Sequence, residues 1–232
     1  MRVLFALPHP VLFLVAWLAL APSLSASPAQ WREQVAALAA QPAVGPVDIV
    51  FVGSSSVRMW KSLASDFPRW RTVNCGFGGS QLADSIFYFD QLITPRAPRV
   101  VVLYAGENDL AAGVAPEQLL ADFRAFRERL RAARPAARLI YLSSKPSPAR
   151  AAQLGKLRAA NALIAAACGA DPLCTFVDVF TPMLDAGQQA RPELFGPDRL
   201  HMNATGYALW TKTLLPVLEK ALVPPSPATA AD

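Results

Sequence analysis

Short and almost uninterrupted apolar runs recur along this chain, and longer stretches of mixed character separate them. Four runs are rich in Val and Ile, and a weaker one follows the first; in chain order they are 47–52, 71–74, 99–104, 138–143 and 175–179. Continuous apolar runs of this length are typical of strands in a parallel sheet that is covered on both faces. We therefore expect five buried strands at these positions.

The stretches between the runs have lengths and compositions that suit helices. Pro116 and Pro148 suit first-turn positions, and Asn203 suits the N-cap of the last helix. The alternation of strand and helix predicts an α/β fold, a three-layer α/β/α sandwich around a mostly parallel, doubly wound sheet of the flavodoxin-like kind. The predicted helices are 57–67, 80–93, 116–134, 148–168 and 204–222.

The two ends of the chain differ from the middle. An apolar run at 11–20 follows Arg2 and precedes small residues at 23–27. This run is shorter than the roughly 20 residues of a membrane span, so the pattern indicates a signal peptide cleaved near Ala26 and a secreted or periplasmic protein. An uncleaved anchor is the alternative, and it would be the only membrane contact. The expected signal peptide, single domain and disordered tail are 1–26, 27–222 and 223–232.

Composition and charge add only a few constraints. The 232 residues carry a formal net charge of +5 at pH 7, but the positive side chains are scattered, so we expect no nucleic-acid partner. Cys168 and Cys174 are close enough in sequence to pair in an oxidising compartment, which would leave Cys75 as a lone thiol. Three buried, reduced cysteines are the alternative. The chain has no CxxC or HExxH pattern, so we expect no metal or cofactor.

Histidine is the scarcest of the residue types that catalyse proton transfer. The chain has two, and His9 lies in the expected leader, so chemistry that needs an imidazole must use His201. Asp198, three residues earlier, suits the carboxylate that orients a base. Ligands collect at the carboxyl ends of parallel strands, where this chain offers serines, glycines and an amide. These residues lie in the segments 53–56, 76–80 and 106–109.

Four short blocks in order resemble those of the SGNH hydrolases, also called GDSL esterases/lipases. The resemblance implies that Ser55 is the nucleophile of a Ser-His-Asp triad with His201 and Asp198. It also implies an oxyanion hole made of the Ser55 N–H, the Gly79 N–H and the Asn108 side chain. The blocks are GSSS at 53–56, NCGFGG at 74–79, GEND at 106–109 and DRLH at 198–201.

The first block departs from the commonest family pattern. Ser54 replaces Asp and Ser56 replaces Leu, which leaves the nucleophile open among three adjacent serines. Serine also caps helices well, so these residues can be purely structural. Asp109 is expected to be structural. The second glycine of the GxSxG elbow of α/β-hydrolases is absent.

The resemblance implies a serine esterase that hydrolyses short-chain acyl or acetyl esters on carbohydrate or lipid, without a cofactor. Acyl transfer to a sugar acceptor and a non-catalytic binding module are the alternatives. Lys145 and Arg150 follow the fourth strand, where they contact an anionic or sugar portion of a substrate or belong to a solvated loop. Phe77, Trp60 and Phe195 line a substrate pocket or belong to the core. The sequence leaves the oligomeric state open.

Overall fold

The computed structural model describes residues 28–41 and 46–223. The predicted signal peptide at 1–26 and residues 224–232 of the predicted tail lie outside the described residues. In the described ranges, no helix has both the length and the hydropathy to cross a membrane.

Five parallel strands form the central sheet, in the order β2-β1-β3-β4-β5. Each predicted strand is confirmed, with ends displaced by up to two residues. The chain leaves β1 toward one edge for β2 and then returns to the other side of β1 for β3, so the strand order reverses there. Ligands of doubly wound sheets bind at such a reversal, beyond the strand ends. The strands are β1 Ile49–Gly53, β2 Thr72–Gly76, β3 Val100–Tyr104, β4 Arg138–Leu142 and β5 Cys174–Val177.

Nine α-helices are found in the described ranges, and the three longest correspond to predicted ones. The predicted helix at 148–168 begins with a 3₁₀ segment, Pro148–Gln153, before the α-helix proper. Two short helices, α1 and α6, were not predicted. The helices are α1 Arg32–Ala39, α2 Ser55–Arg58, α3 Leu63–Asp66, α4 Leu82–Phe87, α5 Phe89–Leu92, α6 Glu107–Ala111, α7 Pro116–Ala133, α8 Leu154–Gly169 and α9 Ala204–Leu222.

Two predicted helices are wrong as continuous elements, because each is broken into two. The predicted helix 57–67 is replaced by α2 and α3, and 80–93 by α4 and α5, with the second break at Tyr88. Between α2 and α3, Trp60 is buried in a cluster of aromatic rings, and its indole N–H donates a hydrogen bond to Asp66 Oδ2 at 2.6 Å. This burial depends on distant elements, so local periodicity does not reveal the break.

Alternate residues of each strand face opposite sides of the sheet, and helices cover both sides. One apolar cluster joins one face of the strands to α1, α4, α5, α7 and α8, and the other joins the opposite face to α2, α3 and α9. The predicted three-layer fold is therefore confirmed. The aromatic residues considered for a substrate pocket are buried core residues: Phe77 and Trp60 are at most 1% exposed and Phe195 is 6% exposed.

All three cysteines are buried, and the structure shows no disulfide bond among them. The Sγ atoms of Cys168 and Cys174 lie 2.7 Å apart. Burial raises the pKa of the Cys75 thiol to about 11, so this side chain is neutral at physiological pH.

Gly53, the last residue of β1, permits the turn that follows the strand. Its φ is +135°, and a Cβ at this position would lie only 1.9 Å from the Tyr104 carbonyl oxygen. We expect Gly53→Ala to lower the free energy of unfolding by about 3 kcal/mol or more, through strain and this clash. Urea unfolding followed by circular dichroism measures the change.

Gly155→Ala in α8 is the matched control, since nothing lies within 4 Å of its Cβ position. Alanine favours helix over glycine by up to about 1 kcal/mol, so this variant should be unchanged or slightly more stable. Equal unfolding midpoints for the two variants would contradict the assigned role of Gly53.

Candidate active site

Ser55 is the first residue of α2, directly beyond the carboxyl end of β1. Its Oγ lies 2.8 Å from Nε2 of His201. The neighbouring serines are more buried, with Ser54 4% exposed and Ser56 2% exposed, and neither hydroxyl contacts His201. Successive residues leave a strand-to-helix turn in different directions, so one of the three serines faces the histidine. The structure therefore places Ser55, rather than its neighbours, beside the imidazole.

Asp198 holds the other side of the same imidazole. Its Oδ2 lies 2.6 Å from Nδ1 of His201, and its Oδ1 accepts the backbone N–H groups of Leu200 and His201 at 3.0 and 2.9 Å. The side-chain hydrogen bond from His201, helped by these two N–H groups, lowers the pKa of Asp198 to about 2. The carboxylate favours the tautomer with a proton on Nδ1, which leaves Nε2 free to accept the Ser55 proton.

Three hydrogen-bond donors face the cleft beside Ser55. The backbone N–H groups of Ser55 and Gly79 donate to no group in the described ranges. Gly79 has a φ of +75°, a conformation that glycine adopts without strain. Asn108, directly after β3, donates one side-chain N–H to the Ser80 carbonyl at 2.9 Å, and its second N–H makes no bond within the described chain.

Arg150 fixes the orientation of the Asn108 amide. Its Nη2 donates to Asn108 Oδ1 at 3.0 Å, so the oxygen points at the guanidinium and the amide nitrogen points the other way. The three sequence-predicted oxyanion donors, on Ser55, Gly79 and Asn108, thus border one cleft. The three donors come from three separate segments, which follow β1, β2 and β3.

The cleft has a volume of about 370 Å³ and opens to solvent at the carboxyl edge of the sheet. α1 contributes a wall that the sequence did not predict: Gln34 Oε1 accepts the Gly78 N–H at 2.7 Å. Two arginines line the cleft, and no carboxylate does. The lining residues are Gln34, Ser55, Arg58, Gly78, Gly79, Asn108, Arg150, Leu200 and His201.

Lys145 is not at the substrate surface, and it is not part of a solvated loop. Its side chain is 1% exposed, and its Nζ donates to Glu107 Oε2 at 2.7 Å and to the Leu200 carbonyl at 2.9 Å. Both expectations for Lys145 were therefore wrong. A buried ammonium group needs a buried partner. Glu107, the variable residue of the GEND block, is that partner.

Glu107 collects four donors beneath the cleft. Besides Lys145, it accepts the Tyr104 hydroxyl at 2.7 Å and the Ser147 hydroxyl at 3.1 Å, and Arg150 Nη1 lies 3.4 Å from its Oε1. Burial by itself would raise the pKa of Glu107, but attraction to Lys145 and Arg150 outweighs it and lowers that pKa below the usual value. We call Glu107, Lys145 and Arg150 the buried charge cluster.

The buried charge cluster contacts both the segment that carries His201 and the Asn108 amide. Lys145 holds the Leu200 carbonyl, one residue before His201, and Arg150 holds the Asn108 amide. Asp109 is structural, as expected, since it accepts the N–H groups of Gly106 and Leu82 at 3.0 and 2.9 Å. Burial raises the pKa of Asp109 to about 6.

The signals for the missed residues were of unequal strength. Glu107 occupies the variable position of the GEND block, and Arg58 lies one helical turn after Ser55, so both were within reach of the sequence. Gln34 had no such signal, because its contact with Gly78 joins residues 44 positions apart. Among the residues described, no group of three or more His, Cys, Asp or Glu side chains is arranged to hold a metal ion.

Three solved structures share this fold over most of their length. A GDSL-like lipase from Bacteroides thetaiotaomicron is 23% identical, with a TM-score of 0.70 over 84% of this chain and 98% of that chain. A Streptococcus pneumoniae protein, provisionally described as a platelet activating factor, is 22% identical, with a TM-score of 0.73 over 82% and 92%. A catalytic mutant of an acetylxylan esterase from Geobacillus stearothermophilus is 14% identical, with a TM-score of 0.63 over 75% and 95%.

At these identities the likeness concerns the fold. No curated protein sequence matches this chain. Residues 50–209 match the GDSL-like lipase/acylhydrolase family, a span that contains all four blocks and confirms the resemblance found in the sequence. The chain therefore belongs to the GDSL-like lipase/acylhydrolase family of ester hydrolases.

Proposed function

We propose that this protein is a serine esterase in which Ser55 is the nucleophile, His201 the general base and Asp198 the residue that orients the base. The observation that carries the proposal is the unbroken line of hydrogen bonds from the Ser55 hydroxyl through the imidazole to the carboxylate, at 2.8 and 2.6 Å. A serine, a histidine and an acid in this arrangement activate the hydroxyl for attack on an acyl carbon.

The first half of the reaction forms an acyl-enzyme. Ser55 Oγ bonds to the ester carbonyl carbon while His201 Nε2 takes the hydroxyl proton. The carbonyl oxygen becomes an oxyanion that the N–H groups of Ser55 and Gly79 and the Asn108 amide stabilise. The carbon–oxygen bond to the alcohol then breaks, and the imidazolium gives its proton to the departing alkoxide.

The second half repeats these steps with water. His201 removes a proton from a water molecule, which attacks the acyl carbon through the same tetrahedral geometry. The bond to Ser55 Oγ breaks, the proton returns to the serine, and the carboxylic acid leaves. Asp198, whose low pKa keeps it ionised, stabilises the imidazolium in both halves.

The cleft favours small acyl groups. Its volume of about 370 Å³ is near the lower end of the range for ligand pockets. The likeness to an acetylxylan esterase fold agrees with acetyl esters on carbohydrate, and short-chain esters of lipids share the same chemistry. We also propose that the protein is exported, on the basis of the apolar run at 11–20.

A chromogenic acyl-length series tests the proposal. We expect p-nitrophenyl acetate and butyrate to be cleaved with higher kcat/KM than the octanoate and palmitate esters. Acetylated xylan and lysophospholipid are compared as candidate natural substrates. Labelling by a fluorophosphonate separates an enzyme from a binding module, because the reagent needs an activated serine. Absence of both turnover and labelling would reject the esterase assignment.

Asn108→Ala tests the oxyanion hole. Loss of one such donor typically lowers kcat about 100- to 1000-fold, with a smaller change in KM, because the bond is strongest in the transition state. Steady-state kinetics with p-nitrophenyl acetate measure the effect. Gln118→Ala removes an amide from α7, outside the cleft, and should leave kcat within about twofold. A similar kcat for Asn108→Ala and the parent would exclude this residue from the hole.

A further inference from the structure

Arg58 lies beside the nucleophile. It is three residues after Ser55 in α2, and residues three apart on a helix share a face, with Cβ atoms about 5–6 Å apart. Arg58 is exposed, and it lines the same cleft as Ser55, Asn108 and His201. This position brings a permanent positive charge to the place where an ester must bind.

The Arg58 guanidinium packs directly against Gly78. A Cβ at Gly78 would lie 2.9 Å from Arg58 Nε and 3.2 Å from both Cζ and Nη2, so a larger residue would displace the guanidinium. The other side of Gly78 is occupied by Gln34, whose Oε1 accepts the Gly78 N–H. Arg58 and Gln34 therefore converge on one glycine at the wall of the cleft.

The side chains of Arg58 and Gln34 both have N–H groups that donate to no group in the described ranges. The Arg58 guanidinium makes no hydrogen bond or ion pair with the residues described, although it carries five N–H groups. Because Gln34 Oε1 is used by Gly78, its amide nitrogen is the free end, and this nitrogen has no partner in the part of the chain the structure describes. Neither residue contributes an acceptor that would repel an anion.

The nearby acids do not neutralise Arg58. Asp198 is bonded to His201 and to two backbone N–H groups, and Glu107 is shared between Lys145 and Arg150. Glu107 thus balances the charge of Arg150, whereas Arg58 has no acidic partner among the residues described. Such a charge attracts a negatively charged ligand, and a guanidinium binds a carboxylate or phosphate through paired hydrogen bonds.

We propose that the site hydrolyses esters that carry a separate anionic group, either a carboxylate or a phosphate. Arg58 and Gln34 bind this anionic group. The inference rests on the proposed esterase function and specifies its substrate class. The anion sits at the Gly78 wall while the ester carbonyl sits between Ser55 and the oxyanion donors. An exposed charge-assisted contact of this kind corresponds to a preference of about tenfold in kcat/KM.

Paired esters that differ in one charge test the preference. On the acyl side, p-nitrophenyl hemisuccinate is compared with p-nitrophenyl methyl succinate. On the alcohol side, 4-acetoxybenzoate is compared with its methyl ester, and 4-acetoxyphenyl phosphate with its dimethyl ester. In at least one arm, we expect the anionic ester to be favoured about tenfold, and the arm that responds identifies the position and type of the anion. Equal kcat/KM values within every pair would overturn the inference.

Variants connect the preference to Arg58. Arg58→Gln should reduce the anionic-to-neutral ratio about tenfold, and Arg58→Lys should restore part of it, because lysine keeps the charge without the fork. The ratio within one enzyme cancels any general loss of activity. Arg124→Gln removes an equal charge from α7 and should leave the ratio unchanged. A ratio that falls equally in Arg124→Gln and Arg58→Gln would also overturn the inference, as it would show only an effect of net charge.

The outcomes separate this inference from the proposed function. Hydrolysis of neutral esters without any anionic preference leaves the esterase intact and removes the anion site. Calorimetric titration with succinate and with inorganic phosphate needs no turnover: binding to the parent that weakens at least fivefold in Arg58→Gln supports the anion site even if no ester is cleaved. If no ester is cleaved, absence of anion binding to the parent rejects the anion site.

Discussion

Ser55→Ala is expected to lower kcat for p-nitrophenyl acetate by about 10⁴-fold or more while the protein remains folded. The methyl group cannot bond to the acyl carbon, so the covalent route through His201 is lost. The oxyanion donors stay in place, since the N–H groups of residue 55 and Gly79 belong to the backbone. A small residual rate above that in water is therefore expected.

The adjacent serines supply controls that differ only in direction. Ser54→Ala and Ser56→Ala remove hydroxyls that do not contact His201, and we expect each to retain activity within about tenfold of the parent. Fluorophosphonate labelling, read by mass spectrometry, should give a modified Ser55 in both variants and no label in Ser55→Ala. If Ser55→Ala remains active and Ser54→Ala does not, the nucleophile has been misassigned.

Glu107→Gln should destabilise the protein by about 3–5 kcal/mol, the usual effect of leaving one member of a buried ion pair without its partner. Lys145, with a side chain only 1% exposed, would be left without a carboxylate to balance its charge. The change should also lower kcat, because Lys145 holds the Leu200 carbonyl and Arg150 holds Asn108. Urea unfolding and kinetics at a temperature where the variant is folded measure the two effects.

Glu219→Gln makes the same chemical change in an exposed ion pair. The side chains of Glu219 and Arg69 are 44% and 66% exposed, and such pairs contribute at most about 1 kcal/mol. The double variant Glu107→Gln/Lys145→Met should recover part of the lost stability, because it removes the uncompensated charge. Equal destabilisation by Glu107→Gln and Glu219→Gln would show that the buried charge cluster has no special role.

The predicted strands and the four blocks show how far local pattern extends. The run 99–104 was predicted as a strand because both of its faces are apolar, and β3 is fully buried in the structure. The blocks placed Ser55, Asn108 and His201 at strand ends or in the late loop. Their meeting follows from the parallel topology, since all strands point their carboxyl ends to one edge.

Other features depended on contacts between distant segments. The helix expected at 57–67 breaks where Trp60 packs against Trp210, 150 residues away. The choice among three serines depended on the turn at Gly53, which the close Tyr104 carbonyl constrains. The direction of a side chain after such a turn cannot be obtained from the order of residues alone.

The sequence by itself determined the fold class, the order of the strands along the chain and the residue types available for acyl chemistry. Hydrophobic periodicity and turn residues act over a few positions, so they can be recognised without coordinates. Only the tertiary structure decided which charges are paired: Lys145 meets Glu107 across 38 positions, whereas Arg58 meets no acid among the residues described. Charge compensation depends on distances in space, and these arise only when the sheet and its covering helices are assembled.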